Sequence, residues 1–185
     1  MANRLTKIVT RTGDDGTTGL GDGTRVGKDS ARIDALGEID ELNSAIGCVL
    51  AEELPPEVRE ALVAAQNDLF DLGGEVCIPG RSALWDAHLE EIERRVEALR
   101  EPLPPLKEFI LPRGTRAGAA CHLARAVCRR AERAMVALGR VEGVSELSIR
   151  YMNRLSDLLF IAARSINRAA GEPETMWKPG RERGK

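Results

Sequence analysis

One stretch constrains this chain more than any other: Thr115 to Leu138, TRAGAACHLARAVCRRAERAMVAL. Its apolar residues Ala120, Leu123, Ala124, Val127, Ala131, Ala134, Met135 and Leu138 recur at the spacing of an amphipathic helix. The opposite face is not mixed. Arg125 and Arg129 stand four apart, Arg130 and Arg133 lie close by, and Glu132 is the only acid. Like charges at that spacing repel by a few tenths of a kcal/mol per pair. The helix therefore needs either a solvated or structurally paired face, with carboxylates from a neighbouring helix, or a bound polyanion. The helix alone leaves both readings open.

A chain of 185 residues suits one domain with a substantial core. Aromatics make up only 3% of it, which favours packed helices over a sandwich or barrel. The formal charge of −2 offers no overall attraction to nucleic acid or to an acidic membrane. The basic character is local. Cys48, Cys77, Cys121 and Cys128 show no CxxC spacing, and His88 and His122 are the only histidines, so a zinc site is not expected. Cys121 and Cys128 lie about 10 Å apart along one helix, too far for a disulfide. Free thiols in a reducing cytoplasm are the expectation. No signal peptide or membrane span is expected, since no run approaches the ~18 apolar residues a span needs.

Residues 1–28 read as a loop, with Gly13, Gly16, Gly19, Gly21, Gly23 and Gly27 set among Thr and Asp. Either it is a flexible arm or it is ordered around a ligand. A first helix should start near Asp29 or Ser30 and run to about Ala51. It carries a stripe of Gly37, Asp40, Ser44 and Gly47 that would let a backbone or a flat ligand approach closely. Pro55-Pro56 opens a second helix, expected to end at about Leu72 because Gly73-Gly74 follows. A third spans about Ala83 to Arg100, stopped by Pro102, Pro104 and Pro105. Phe109-Ile110-Leu111, next to Pro112, should be extended. Ser145 should cap a last helix ending near Gly171, with Asn153 and Asp157 on one side of it. The polar tail 172–185 should be loose, although Trp177 could dock. Five helices with mostly short links give an all-α bundle.

Several chemistries fail on spacing. Lys28 follows a glycine-rich run, but Asp22 and Asp29 stand where a Walker A loop needs Gly and Ser or Thr. A dinucleotide fingerprint fails at Val26. Neither histidine has Glu three residues before it, so a di-iron bundle is excluded. No GxSxG elbow exists. What remains is a set of cations, hydroxyls and backbone donors without a protein nucleophile. That set suits a triphosphate whose reacting partner brings its own reactivity.

TRTGDDGTTGLGDG at 10–23, ARIDALGEIDELNSAIG at 31–47, FILPRG at 109–114, HLARAVCRRAERAMVAL at 122–138 and YMNRLSDLLFIAAR at 151–164 resemble the PduO-type ATP:cob(I)alamin adenosyltransferases, in order and over nearly the whole chain. The resemblance implies a five-helix bundle, homotrimeric, with sites between neighbouring subunits. It implies transfer of the 5′-deoxyadenosyl group of ATP, with Mg2+, to the cobalt of reduced cobalamin. Residues 1–28 would be the ATP loop, 29–171 the bundle and 172–185 the tail. The nucleotide would meet Thr10, Arg11, Thr12, Gly13, Thr18, Gly19 and Lys28, then Arg129, Arg130, Glu132, Arg133 and Asn153, with His122 a further binding residue. Arg125 would pair with Asp40 across the subunit interface. Phe109 would sit under the corrin and help displace its lower axial ligand. A reductase and an adenosylcobalamin-dependent enzyme would be its partners. Arg113 stands where a glycine is common, and would be strained if that position needed positive φ. Two other readings share some of these residues: a trimeric protein that binds ATP or adenosylcobalamin without turnover, and a purely structural bundle.

Overall fold

The computed structural model describes residues 9–180; the expectations on 1–8 and 181–185 lie outside them. A hairpin of β1 (Thr17–Gly19) and β2 (Arg25–Gly27) leads into α1 (Ala31–Leu50), α2 (Pro56–Cys77), α3 (Asp86–Arg100), α4 (Arg116–Gly139) and α5 (Glu146–Ala169). The helical bundle is as expected, and α4 lies at its centre, packed mainly against α1 on one side and α5 on the other. Small buried residues make this possible. Cys121, Ala124, Cys128 and Ala131 are fully covered, and they let both neighbours approach α4 closely. The Cys121 and Cys128 thiols donate to the Leu159 and Met152 carbonyls of α5, at 3.2 and 3.4 Å. Burial pushes the Cys121 thiol up to about 12 and raises Cys128 as well, so both stay protonated and unreactive. All four cysteines are free. Leu123, assigned to the core stripe from its spacing, is instead 64% exposed.

The glycine-rich segment is not all loop. β1 and β2 pair antiparallel with Thr18 opposite Val26. Two short turns shape the hairpin: Asp15 accepts from the Thr17 N–H and hydroxyl, and Asp22 does the same for Thr24. These bonds hold both carboxyl groups below the usual carboxylate range, the Thr17 amide acting first on Asp15 and the Thr24 hydroxyl first on Asp22. The hairpin is fixed to the end of α2 by the Gly21 N–H, which donates to the Cys77 carbonyl at 3.0 Å. A Cβ at Gly21 would sit 2.5 Å from the Ile78 side chain, so any larger residue there would force Ile78 to move.

That contact explains why α2 passes through Gly73-Gly74 instead of stopping. Two glycines cost the helix about 1 kcal/mol each relative to alanine. The turn beyond them is held by tertiary partners. The Val76 carbonyl accepts from buried Arg32 at 2.6 Å, the Cys77 carbonyl from the hairpin, and the Glu75 carboxylate from Ser148 in α5. Glu75 also takes the Ala83 and Leu84 amides, at 2.9 and 3.3 Å. This keeps those two residues out of the next helix and moves the start of α3 to Asp86. Ser30 and Thr115 cap α1 and α4 through their hydroxyls, whereas the Ser145 hydroxyl makes no capping bond to α5.

The tail is not loose over its described part. Ile110 and Met176 form an antiparallel bridge, flanked by Leu111 N–H to Thr175 O at 2.8 Å and Trp177 N–H to Phe109 O at 2.7 Å. Phe109-Ile110-Leu111 is extended, as its proximity to Pro112 requires. Arg113 does not adopt positive φ; the following Gly114 does, at 126°. Gly114 and Gly118 leave room for Asn167 of α5, which accepts from Thr115 and donates to the Arg113 carbonyl. That bond set fixes the entry into α4.

Candidate functional site

The arginine face of α4 divides in two once folded. On the α1 side, Arg130 donates through Nε to Glu38 at 2.6 Å and through a second nitrogen to Glu41. Its charge is matched by two carboxylates, which raise its already high pKa. On the other side Arg125, Arg129 and Arg133 make no ion pair among the described residues. Arg133 donates only to the Arg129 carbonyl, at 2.9 Å. Arg125 lies with its guanidinium carbon 5.8 Å from the centre of the Phe160 ring in α5, and its Nε is buried without a hydrogen-bond partner.

Two cavities open on this unpaired side. The first, of about 590 Å³, lies between α4, α5 and the connector before α4. Its walls include Phe109 and Ile110 from the connector, Arg125 and Arg129 from α4, and Ser156, Asp157 and Phe160 from α5. The second, of about 380 Å³, is lined by Arg129, Glu132, Arg133, Val136, Ala137 and Arg140. One is aromatic with a cationic edge; the other holds three arginines and one acid. Arg129 belongs to both. A ligand with a flat apolar body and an anionic chain would use both regions, with Arg129 where they meet.

The expected residues fall into three places. Phe109, Arg125, Arg129, Glu132 and Arg133 line the cavities. Asn153 is next to them: its amide donates to Glu132 at 3.2 Å and its oxygen accepts from Arg154, which also donates to Glu93 of α3. Thr10, Arg11, Thr12, Gly13, Thr18, Gly19 and Lys28 form a separate group at the hairpin and line neither cavity. There the Lys28 ammonium crowds Gly13, within 3.1 Å of where a Cβ would be. Arg11, with φ 61°, is the only non-glycine in the left-handed region among the described residues. Such strain persists only where the surroundings enforce it. Asp40 is exposed on α1, alongside Gly37 and Ser44, and makes no ion pair with Arg125.

His122 lies in neither cavity. It is 4% exposed, edge-on to Phe160 with ring centres 6.1 Å apart, and neither ring nitrogen has a partner among the described residues. Burial, then the nearby Arg125, lowers its pKa, so the ring is held neutral. Sequence reasoning missed Phe160 and Ser156, which lie on the stretch of α5 that faces the cavity. Their neighbours in the core stripe hid them, because at a buried helix face a cavity wall and a core contact have the same spacing. No cluster of three or more His, Cys, Asp or Glu side chains suited to a metal occurs among the described residues. No helix among them is long and apolar enough to cross a membrane.

Known proteins of similar sequence and shape have this architecture. The sequence model of the family described as Cobalamin adenosyltransferase matches residues 8–166. A cobalamin adenosyltransferase of Cupriavidus metallidurans is 55% identical, over 98% of this chain and 100% of that protein. The corrinoid adenosyltransferase of Bacillus subtilis is 42% identical over 89% of each. Among solved structures, a variant of a PduO-type ATP:corrinoid adenosyltransferase from Lactobacillus reuteri, complexed with cobalamin and ATP, superposes with a TM-score of 0.86. It is 32% identical and covers 94% of this chain and 100% of that one. With its fold, its ordered motifs and a family match over most of its length, the chain belongs to the cobalamin adenosyltransferases of the PduO type.

Proposed function

We propose that this chain transfers the 5′-deoxyadenosyl group of ATP to the cobalt of reduced cobalamin, giving adenosylcobalamin and triphosphate, with Arg129 at the point where the two substrates meet. The observation that carries this assignment is that Arg129 borders both an aromatic-walled cavity and an arginine-rich one. The corrin occupies the first, against Phe109, and the phosphates lie along the second. Co(I) attacks the ribose C5′ in line. The cobalt–carbon bond forms, the C5′–O bond breaks, and triphosphate leaves with the electron pair. No proton must move, which suits cavities lined by no histidine or cysteine. The protein's contribution is to hold C5′ before the cobalt and to stabilise charge on the leaving group, through Arg129, Arg133 and Lys28. Asn153 orients Glu132 beside them. Phe109, under the corrin, displaces the lower axial ligand; the doubly occupied axial orbital then points at no donor, and reduction to Co(I) becomes easier.

No hairpin residue lines either cavity at Arg129 within one chain, so the complete site needs the hairpin of a neighbouring subunit. A homotrimer satisfies this. Two surfaces fit such an interface: the exposed stripe Gly37, Asp40 and Ser44 on α1, and the edge of the first cavity where Arg125 makes no ion pair among the described residues, which Asp40 of a neighbouring copy would pair with. Arg130, occupied by Glu38 and Glu41, holds α1 against α4 and supports the nucleotide residues indirectly. Mg2+ enters with ATP. There it would be held by phosphate oxygens and water, with Glu132, the one carboxylate lining the arginine-rich cavity, the side chain placed to reach it. A reductase supplies the electron for Co(I), and an adenosylcobalamin-dependent enzyme takes the product. A reducing cytoplasm suits both Co(I) and four free thiols.

The test is direct. Protein, MgATP and chemically reduced cobalamin are mixed anaerobically, and a light-sensitive alkylcobalamin spectrum should develop with triphosphate released in equal amount. Tight binding of both substrates with no new spectrum would refute the transferase and leave only a binding protein.

A further inference from the structure

Phe109 is 78% exposed and lies in no helix, so its own segment does not fix the ring over the cavity. The backbone around it is fixed from outside. Its carbonyl accepts from the Trp177 amide at 2.7 Å, and the Leu111 amide donates to Thr175 at 2.8 Å. A bridge of this length between two exposed segments does not by itself offset the entropy of ordering both. A second tie is required, and one side chain supplies it. Arg164 of α5 is 5% exposed. Its Nε donates to Glu174 Oε1 at 2.5 Å, and an η nitrogen donates both to Glu174 Oε2 at 3.3 Å and to the Pro104 carbonyl at 2.7 Å. Glu174 is in the tail, and Pro104 lies in the connector that carries Phe109. One buried guanidinium thus joins helix, tail and connector, with the bidentate geometry that makes such pairs directional. Arg164 lines neither cavity.

We propose that Arg164 and Glu174 form a clip that positions Phe109, acting through the tail rather than on substrate. This rests on the assignment of Phe109 to the corrin. Arg164 is then a positioning residue, and its effect is confined to the cobalamin half of the reaction.

The experiment compares the full-length wild type with Glu174→Ala, Glu174→Gln and Trp177→Pro. Trp177→Pro removes the donor to Phe109 while leaving Arg164 and Glu174 intact. Amide exchange over 107–112 and 174–178 should rise about tenfold or more in Glu174→Ala and Trp177→Pro, with α1 and α4 unchanged. Glu174→Gln, which keeps a neutral hydrogen bond, should fall between. The KM for ATP should hold, while turnover from cob(II)alamin falls about tenfold and the absorption change of cob(II)alamin on binding shrinks. Unchanged exchange at Leu111 and Trp177 in Glu174→Ala overturns the clip. Faster exchange with an unaltered cob(II)alamin spectrum and rate overturns its action on Phe109. A wild type that transfers no adenosyl group refutes the function instead, and the exchange comparison still decides whether the clip exists.

Discussion

Arg129 and Arg130 are adjacent in sequence and belong to opposite regions of the molecule. The α1-facing side of α4 is closed electrostatically: Arg130 meets Glu38 and Glu41, and the pair joins two helices. The α5-facing side is open: Arg129, with Arg125 and Arg133, borders cavities and makes no ion pair among the described residues. The difference arises from helix geometry, since consecutive residues are turned about 100° from each other. One region spends its charge inside the fold and the other leaves it for a ligand. A run of like charges is thus neither structural nor functional as a whole, and the partner decides residue by residue.

The comparison can be broken most directly at Arg129. Arg129→Ala should lower the rate of adenosyl transfer about 10²–10³-fold, the usual consequence of removing a donor from developing charge. The oligomer and melting temperature should stay as in wild type, by light scattering and calorimetry. Near-normal turnover would show that the open region is not a phosphate site. Phe109→Ala should come next, with both substrates bound but turnover from cob(II)alamin reduced about 10²-fold, because the reacting centre is then misplaced. Titration should show normal affinity for ATP. Arg130→Ala sharpens the contrast from the closed side. Its melting temperature should fall more than that of Arg129→Ala, while its loss of turnover should be the smaller of the two. The reverse order would mean that Arg130 releases Glu38 and Glu41 to bind nucleotide.

The smallest effect concerns His122. Its folded pKa is lowered, so the unfolded chain takes up the proton more readily. Its stabilising contribution is complete above the unfolded value of about 6.5 and is lost as pH falls through the lowered folded value. His122→Phe should flatten the stability profile below about pH 6.5 without moving the phosphate-side kinetics. An unchanged slope would place the imidazole in a setting that accepts a proton.

The central helix, the bundle and the extended Phe109 segment were legible because each depends on local pattern: apolar spacing, capping hydroxyls, and proline. The errors have one origin. Gly73-Gly74 failed to end α2 because Arg32, the hairpin and Ser148 hold the last turn. The glycine-rich segment formed a hairpin because Asp15 and Asp22 shape its turns and Cys77 receives it. The tail docked because a buried arginine elsewhere in sequence meets Glu174. In each case a contact between distant residues outweighed a local preference worth about 1 kcal/mol or less.

The sequence by itself determined which helices form, which residues carry positive charge, and which family the motifs match, since all three are written in short-range order. Only the tertiary structure decided which arginine is neutralised, where Phe109 is held, and that no hairpin residue lines the cavities at Arg129 within one chain. Those outcomes depend on which side chains meet across tens of residues. No local spacing encodes such meetings; packing fixes them only when the whole core closes.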